Sequence, residues 1–413
     1  MATRNISLEQ LQPGMYVAKL DVSWWRSPFL RHAFLVTTQA QIDRLRRAGI
    51  TQVLIDLSRG DDLPPPPRTG TAASSSVSTA SPLLGENGPK SLEQLNREYR
   101  EAKQARAHLE HTVRGIFDSL TKQGTLNARQ AAEAAQEICI VTRTLPTSAV
   151  FMALSAERAA DPSLAQHALS TCTLAMLLGQ SLSYNPLELQ ELAMAALLHD
   201  IGLLQLPASM VQRSANTSTP LPLREREIFE SHPQRSILAL ERRGGFDATM
   251  LQLIGEHHVR LNGSGFPEGM LGEFTSERSR VLAIADYYEE LTSGFGGASP
   301  LAPYQALQRL YQEGQEGLLD RTVISRLIKL VGIYPVYSHV RLNTRETAIV
   351  THLNPDALHQ PIVTITHASN SEPVTPPLQI DLAQQDPAGP LRAIEMVLTP
   401  TVDTPAPPDR RAA

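Results

Sequence analysis

Cysteine is almost absent from this sequence, which has only Cys139 and Cys172 among 413 residues. The two do not form a Cys-x-x-Cys pair, so the sequence holds no disulfide framework. Such a low cysteine content is typical of a protein in a reducing compartment, and we expect a cytoplasmic location.

Excess positive charge and long hydrophobic runs are also missing. Lysine and arginine number 37 against 42 aspartates and glutamates, a net charge of −5. The sequence has no excess of basic residues of the kind that indicates DNA, RNA or an anionic membrane surface as a partner. Residues 1–11 lack the apolar run of a signal peptide, and the longest apolar stretch, residues 192–198, is too short to span a bilayer. The net negative charge is compatible with a small anionic ligand, because a metal site carries its own positive charge.

Aromatic residues make up only 5% of the chain, whereas 42% of all residues are hydrophobic. The core is therefore expected to be aliphatic and rich in alanine, which favours helices. We predict a mainly α fold, with a small N-terminal α/β domain and a short β-rich extension near the C-terminus.

Residues 1–60 are predicted to form the small α/β domain. Ser7 and Gln10 match a capping box, and Pro13-Gly14 predicts a turn. Segments 15–22 and 51–57 are expected to be strands, and segment 38–48 a helix. Residues 61–90, rich in Pro, Ser, Ala and Gly, are predicted to be a flexible linker.

Residues 91–127 carry a heptad-patterned helix. Apolar residues recur every seven positions in two sets, which Arg106 interrupts once: Leu92, Tyr99, Val113 and Leu120, and Leu95, Ala102, Leu109 and Ile116. Such a pattern is typical of a coiled coil or a helix hairpin. Two alternatives stay open: a seam for a homodimer or a signalling partner, or a helix packed on its own domain.

Residues 128–340 are predicted to be a helical domain, in which segments 216–223 and 262–272 are loops. Residues 341–385 read as a short β extension, because apolar β-branched residues cluster there. The Pro- and Ala-rich segment 386–413 is expected to be a disordered tail.

Within the helical domain, two carboxylates close apolar runs. Asp200 follows His199 at the end of the run 192–198, and Asp286 ends the segment Leu282-Ala-Ile-Ala-Asp. A nearly all-apolar helix is buried, and a buried carboxylate is costly unless it is paired or bound to a cation. Taken alone, Asp200 is explained as the cap of the next helix.

Five histidines lie between Thr112 and Ser338: His167, His199, His232, His257 and His258. Adjacent helical residues point about 100° apart, so the doublet 257–258 reaches one metal cluster only near a helix end. Each histidine alone is better explained as a core or surface residue. Together with the two aspartates they suffice for two first-row transition ions, which activate water and neutralise charge on a phosphoryl group.

The order of these motifs resembles the HD-GYP domain, the bacterial branch of the HD phosphohydrolases. The matching pieces are His199-Asp200-Ile201-Gly202, His232-Pro233, His257-His258, Gly263-Ser264-Gly265-Phe266-Pro267 and Ala285-Asp286. The resemblance covers about residues 145–340. Residues 5–57 are similar to a small domain of unknown function that often precedes HD-GYP domains.

The resemblance implies a helical fold, a site of two or three divalent iron or manganese ions, and hydrolysis of cyclic di-GMP to pGpG or GMP. It assigns His167, His199, Asp200 and Asp286 to one ion, and Asp200, His232, His257 and His258 to the other. Asp200 would bridge the two ions, and Asp200 and His199 would be the catalytic residues. On the substrate side it implies Gly263, Gly265, Phe266 and Pro267, and we add Arg260 as a nearby candidate for substrate binding.

Several positions depart from the family pattern. Leu203 stands where the family has a lysine expected to touch a substrate phosphate, and Phe295 where it has a phosphate-binding arginine. Phe266 replaces the tyrosine of the Gly-Tyr-Pro motif, and Val259 replaces an acidic residue. Ser163 stands where some members carry a glutamate that binds a third metal, so two ions are expected. Three nearby arginines are candidates to replace the lost cations: Arg260, Arg278 and Arg280.

These departures leave competing functions. The intact ligand set favours an active cyclic di-GMP phosphodiesterase, whereas Leu203 and Phe295 favour a regulatory module that binds metal, nucleotide or a partner protein without turnover. A third alternative is hydrolysis of another phosphoester. A purely structural helical protein would leave Asp200 and Asp286 without a partner.

Overall fold

The computed structural model describes residues 3–20, 34–47, 50–61, 90–156, 163–215, 220–270, 272–386 and 389–398. Of the predicted linker 61–90, only residues 61 and 90 lie within these ranges. Residues 216–219 of the predicted loop 216–223 lie outside them. Within them, no helix is both long and apolar enough to cross a membrane.

The N-terminal unit is a four-stranded antiparallel sheet in the order β1-β4-β2-β3, with one helix. Its elements are β1 (Thr3–Ser7), β2 (Tyr16–Leu20), β3 (Phe34–Leu35), α1 (Gln39–Arg47) and β4 (Gln52–Asp56). The capping box at Ser7 forms and begins a short 3-10 turn. The sequence pattern predicted β2, α1 and β4 but missed β1 and β3. A separate apolar core that includes Val17, Leu45 and Ile55 holds this unit together.

Helix α2 (Leu92–Gln123) begins at the N-cap Ser91 and ends at Gly124, whose φ of 67° is left-handed. Most of its heptad positions are buried within the chain itself. The interrupting residue, Arg106, is also buried and donates to Ser170 Oγ at 3.2 Å. The structure therefore favours packing on its own domain, and a dimer seam along these residues finds no support.

The remaining helices build the domain that carries the predicted metal ligands. They are α3 (Ala128–Thr144), α4 (Thr147–Ala156), α5 (Leu164–Ser181), α6 (Pro186–Leu198), α7 (Ala208–Val211), α8 (Leu223–Glu230), α9 (His232–Glu241), α10 (Ala248–Glu256), α11 (Glu277–Ser293), α12 (Pro303–Gln315) and α13 (Arg321–Val331). Helix α5 is buried along most of its length, and the second half of α6, the apolar run 192–198, is buried as its sequence predicts. The mainly α fold class is thus confirmed.

The C-terminal region is a five-stranded antiparallel sheet in the order β8-β7-β6-β5-β9. Its strands are β5 (His339–Leu342), β6 (Thr347–His352), β7 (Ile362–His367), β8 (Pro373–Asp381) and β9 (Ile394–Val397). The expectation of a disordered tail from residue 386 is wrong for β9, because that strand gains backbone partners on β5. Tyr337 donates its hydroxyl to the carbonyl of Leu95, which joins the start of this region to α2.

Candidate metal centre

Asp200 lies between two groups of imidazoles. Its Oδ1 is 3.0 Å from His232 Nε2 and 3.5 Å from His257 Nε2. Its Oδ2 is 3.5 Å from Nε2 of both His167 and His199. Each carboxylate oxygen therefore faces a different group, which is the geometry of a bridging ligand.

The first group joins helices α5, α6 and α11. The Nε2 atoms of His167 and His199 are 3.2 Å apart, and Asp286 Oδ1 lies 3.1 Å from the first and 3.2 Å from the second. All three side chains are buried and offer ligand atoms within 4.8 Å of one another.

The second group consists of Asp200, His232, His257 and His258, again with ligand atoms within 4.8 Å. His232 Nε2 is 3.3 Å from His257 Nε2 and 3.1 Å from His258 Nε2. Helix α10 ends at Glu256, directly before the doublet, and His257 is its C-cap. This helix end allows both rings to reach His232.

The tautomers of these imidazoles follow from their outer partners. His199 Nδ1 lies 2.8 Å from the carbonyl oxygen of Ala196, and His232 Nδ1 lies 2.8 Å from the carbonyl oxygen of Phe229. His257 Nδ1 lies 2.6 Å from the carbonyl oxygen of Ile254. A carbonyl only accepts, so each Nδ1 carries a proton, and the neutral form of each ring presents the Nε2 lone pair to the centre.

The donor set fits divalent cations. Nitrogen lone pairs that face one another at 3.1–3.3 Å repel unless a cation or a proton lies between them. Asp200 Oδ1 is buried and accepts no hydrogen bond. Imidazole and carboxylate ligands suit first-row transition metals.

The centre also concentrates negative charge. Burial alone would raise the pKa of Asp200, but the imidazoles of His199 and His232 outweigh it and hold that pKa well below its ordinary value. Burial would lower the pKa of His167, yet the carboxylates of Glu289, Asp200 and Asp286 raise it well above its ordinary value. Ionised carboxylates in a buried site attract positive charge, as a metal centre requires.

Gly202 explains how His232 approaches Asp200. A Cβ at position 202 would lie 2.2 Å from the backbone oxygen of His232, and the Gly202 amide donates to Ser236 Oγ at 2.8 Å. Only glycine lets the turn after Asp200 touch the start of α9 this closely.

The glycine-rich loop borders the second group. The Phe266 ring lies 4.3 Å from the ring of His258, measured between centroids. A Cβ on Gly265 would lie 2.1 Å from the His258 carbonyl oxygen, and Gly263 has a left-handed φ of 79°. The loop thus places the motif residues Gly263, Gly265 and Phe266 beside the histidine doublet.

The two positions that lack the family's cations pack together. Leu203 and Phe295, 3% and 6% exposed, share an apolar cluster with Leu206, Met210 and Leu221. The Phe295 ring also stacks on His167, with centroids 4.2 Å apart and planes 5° from parallel. These side chains form an apolar wall on this side of the centre.

The three candidate arginines differ in their availability. Arg278 pairs with Glu191, and Arg280 pairs with Asp320 at 2.8 Å and donates to the Thr275 carbonyl. The guanidinium of Arg260 lies 4.9 Å over the Tyr287 ring, and its buried Nη1 has no hydrogen-bond partner among the described residues. Arg260 is the candidate that keeps free hydrogen-bonding capacity.

Two acidic residues were missed by the sequence analysis. Glu289 contacts His167 Nδ1 and so fixes the tautomer of that ring. Glu290 forms a further group with His258 and Asp286, whose ligand atoms lie within 4.8 Å. Their spacing of three and four residues after Asp286 on one helix is the signal that identifies both.

Comparison with known proteins identifies both parts of the chain. Residues 3–131 match a domain of unknown function, DUF3391, and residues 153–323 match the HD domain. A cyclic di-GMP phosphodiesterase of Pseudomonas aeruginosa is 27% identical over 92% of this chain and 89% of its own length.

Other matches cover less of this chain. A 3'3'-cGAMP-specific phosphodiesterase of Vibrio cholerae is 28% identical over 40% of this chain and 37% of its own sequence. A solved HDG"Y"P protein of Bdellovibrio bacteriovorus aligns over 79% of this chain and 98% of its own, with 15% identity and a TM-score of 0.44. The sequence matches confirm the resemblance drawn from the motifs: the chain carries an HD domain at residues 153–323 and an N-terminal DUF3391 domain at residues 3–131.

Proposed function

We propose that this chain is a metal-dependent phosphodiesterase that hydrolyses cyclic di-GMP to pGpG or GMP. The observation that carries the proposal is Asp200, whose two carboxylate oxygens each face one of two complete groups of imidazole ligands. Relatives named as cyclic di-GMP phosphodiesterases support the choice of substrate.

In this proposal, His167, His199 and Asp286 hold one divalent ion, and His232, His257 and His258 hold the other, with Asp200 as the shared ligand. Iron and manganese both suit these donors. When bound, such an ion pair activates a water for attack on phosphorus and neutralises charge on the phosphoryl oxygens. We assign the helical domain to residues 128–340, following the predicted boundaries.

The chain's own residues hold this arrangement. The backbone carbonyls of Ala196, Phe229 and Ile254 keep three imidazoles in the tautomer that presents Nε2. Glu289 does the same for His167 from α11. Phe295, stacked on His167, and Phe266, beside His258, restrict water at the two ends of the centre.

Substrate phosphate is proposed to bind on the side of Arg260. The wall formed by Leu203 and Phe295 offers no hydrogen-bond donor side chain, whereas Arg260 Nη1 is unpaired. Arginine recognises phosphate through two parallel N–H donors. The loop residues Gly263, Gly265, Phe266 and Pro267 would border the nucleotide on the same side.

The test is hydrolysis by the purified full chain, loaded anaerobically with Fe²⁺ or with Mn²⁺. We expect pGpG or GMP to accumulate from cyclic di-GMP, and Asp200→Asn to lose turnover by about 10³-fold or more, because both ions lose their shared ligand. Cyclic di-AMP and 3'3'-cGAMP serve as competing substrates.

Two results would reject the proposal. Faster cleavage of another cyclic dinucleotide would reassign the substrate. A metal-loaded chain that binds cyclic di-GMP without cleaving any of the three would instead support the regulatory alternative, which the apolar wall at Leu203 and Phe295 favours.

A further inference from the structure

A cleft of about 1040 Å³ lies between the helical domain and the C-terminal region. Its walls come from α2, α3, α4, α6 and α13 and from the segment between β6 and β7. None of the residues that line it belongs to the groups of metal ligands. Leu189 of α6 lines the cleft, whereas His199 follows the end of that helix, about 15 Å further along its axis. Clefts of this size are typical of sites for small organic ligands, so this one is a candidate for a second binding site.

The inner wall of the cleft is largely aliphatic. Its buried or half-buried apolar residues include Leu145, Leu189, Leu330, Val336 and Leu358. Uncharged polar residues also line the cleft, but Gln180 already donates to Thr142 Oγ1 at 2.9 Å. Tyr184 is the only Phe, Tyr or Trp among the lining residues that the structure describes, and its hydroxyl donates to Glu277 at 2.8 Å. Because bases are usually held by stacking on aromatic side chains, this wall suits a hydrocarbon chain better than a nucleotide.

The charged side chains that line the cleft leave an excess of positive charge. Lys90 pairs with Glu98 at 2.7 Å, so these two charges compensate each other. Burial and the Lys90 ammonium lower the pKa of His352, which therefore contributes no charge at pH 7. Arg143 and Lys329 are exposed, and their side chains form no hydrogen bond or ion pair with any residue that the structure describes. Two uncompensated cations thus lie at the open rim of an aliphatic cleft.

Each of these cations lies in the last turn of a helix, Arg143 in α3 and Lys329 in α13. A cation at this position offsets the partial negative charge of the helix C-terminus, which explains its presence without a ligand. That interaction uses none of the N–H donors described above as unpaired. An anion at the rim can therefore accept hydrogen bonds from both side chains, while an attached chain lies against the inner wall.

We propose that this cleft binds a single-chain amphiphile with an anionic head group, a carboxylate or a phosphate. Arg143 and Lys329 hold the head group at the rim, and the hydrocarbon chain packs along the aliphatic wall. The proposal goes beyond the phosphodiesterase activity and does not depend on it, because the cleft contains no metal ligand. A bound amphiphile would also contact α6, the helix that leads to His199 and Asp200.

The first experiment is a calorimetric titration of the metal-loaded full chain with decanoate below its critical micelle concentration. Decanol has the same chain without the charge, octanoate has a shorter chain, and decyl phosphate has the other head group. The variants are Arg143→Gln and Lys329→Gln, alone and combined. Arg326→Gln is the matched control, because Arg326 is exposed on the same helix as Lys329 but does not line the cleft.

We expect saturable binding of one decanoate per chain, which each single variant weakens by about 3- to 10-fold and which Arg326→Gln leaves unchanged. Octanoate should bind roughly 10-fold more weakly than decanoate, since it buries two fewer CH₂ groups. Decanol should bind more weakly than decanoate. Tight binding of decyl phosphate also supports the proposal, and the tighter of the two anions identifies the preferred head group.

The second experiment locates the ligand through the two cysteines of the chain. Cys139 is half-buried and lines the cleft, whereas Cys172 is buried elsewhere in the core. Saturating decanoate should slow alkylation of Cys139 by iodoacetamide several-fold, as measured by peptide mass spectrometry. The same concentration of decanoate should not protect Cys139 in the variant that lacks both rim cations. Thermal melting verifies that each variant is folded.

Several results would overturn the inference. One is the absence of saturable binding, and another is equal affinity of decanoate for the wild type and the double variant. Decanol that binds as tightly as decanoate would show that the rim cations hold no anion. Loss of decanoate binding in folded Asp200→Asn would place the ligand at the metal centre instead. Conversely, a chain that binds decanoate as expected but hydrolyses no cyclic dinucleotide keeps this site and loses only the proposed enzymatic function.

Discussion

Phe295 occupies the position where related domains use an arginine to bind phosphate, yet its surroundings are unsuited to any cation. It packs in an apolar cluster with Leu203 and Met210 and stacks on His167. Leu203, which stands where the family has a lysine, belongs to the same cluster. The two replacements therefore form one packed unit, and restoring a single charge does not restore the family's phosphate contacts.

We predict that Phe295→Arg destabilises the protein and does not improve binding of cyclic di-GMP. A guanidinium in this apolar cluster costs several kcal/mol unless it finds a partner, so the melting temperature should fall by several degrees. Differential scanning calorimetry and a binding titration measure the two effects. Phe295→Leu is the apolar control, and it should cost about 1–2 kcal/mol. Wild-type melting together with tighter binding in the arginine variant would show that the wall opens to substrate.

Arg260 offers the complementary prediction. Arg260→Gln removes an unpaired guanidinium donor from the proposed phosphate side, so KM for cyclic di-GMP should rise about 10- to 100-fold, while kcat changes less. Steady-state kinetics of the metal-loaded chain measure both constants. Arg278→Gln is the matched control, because Arg278 pairs with Glu191 away from the loop. Equal KM values for the wild type and Arg260→Gln would exclude Arg260 as a phosphate ligand.

At the scale of elements, the centre depends on a close crossing between the turn after Asp200 and the start of α9. Gly202 lacks the Cβ that would meet the backbone oxygen of His232 at 2.2 Å and Ser236 Oγ at 2.9 Å. Backbone atoms cannot move aside as the end of a flexible side chain can. The contact therefore fixes the distance between Asp200 and His232.

We predict that Gly202→Ala lowers stability by more than about 2 kcal/mol and weakens metal binding, because α9 has to shift away from Asp200. Denaturant unfolding and Mn²⁺ titration measure the two effects. The control is Gly115→Ala in α2, where an added Cβ meets nothing within 4 Å. That variant should be stabilised by roughly 0.5–1 kcal/mol, since alanine is the better helix former. Equal effects of the two substitutions would contradict the role of the crossing.

Local sequence patterns predicted some elements of the fold and missed others. The buried end of α6 was predictable because residues 192–198 form an unbroken apolar run. Strand β9 was missed, since its four residues lie in a Pro-rich segment and gain their stability from pairing with β5. Local patterns cannot reveal such distant partners.

At the metal centre, too, some residues could be recognised from local sequence patterns, whereas others depend on contacts between distant segments. Asp200, Asp286 and the histidine doublet were recognisable because each ends an apolar run or a helix. The group that Glu290 forms with His258 was not, because it depends on the proximity of α11 to the end of α10, which no local pattern encodes. The apolar wall was likewise hidden, since Leu203 and Phe295 are 92 positions apart in the sequence and meet only in the folded chain.

On the scale of the whole molecule, the proposed ligands come from widely separated parts of the helical domain. They lie on α5, at the end of α6, at the start of α9, directly after α10 and on α11. The N-terminal sheet, by contrast, has its own apolar core, which shares no residue with the core of the helical domain. Bound cations should therefore stabilise the helical domain and leave the N-terminal unit unaffected.

We predict that chelation of the metals lowers the melting temperature of the helical domain alone. Ligands that bind only the folded state stabilise it by RT ln(1 + [L]/Kd), about 2.7 kcal/mol at a hundredfold excess over Kd. Calorimetric scans of the Mn²⁺-loaded and chelator-treated chain should differ in the helical-domain transition, and Asp200→Ala should abolish that difference. A transition of the N-terminal unit that shifts equally on chelation would contradict the separation of the two cores. An unchanged helical transition would mean that the converging imidazoles and carboxylates are stable without cations, which their short nitrogen–nitrogen distances argue against.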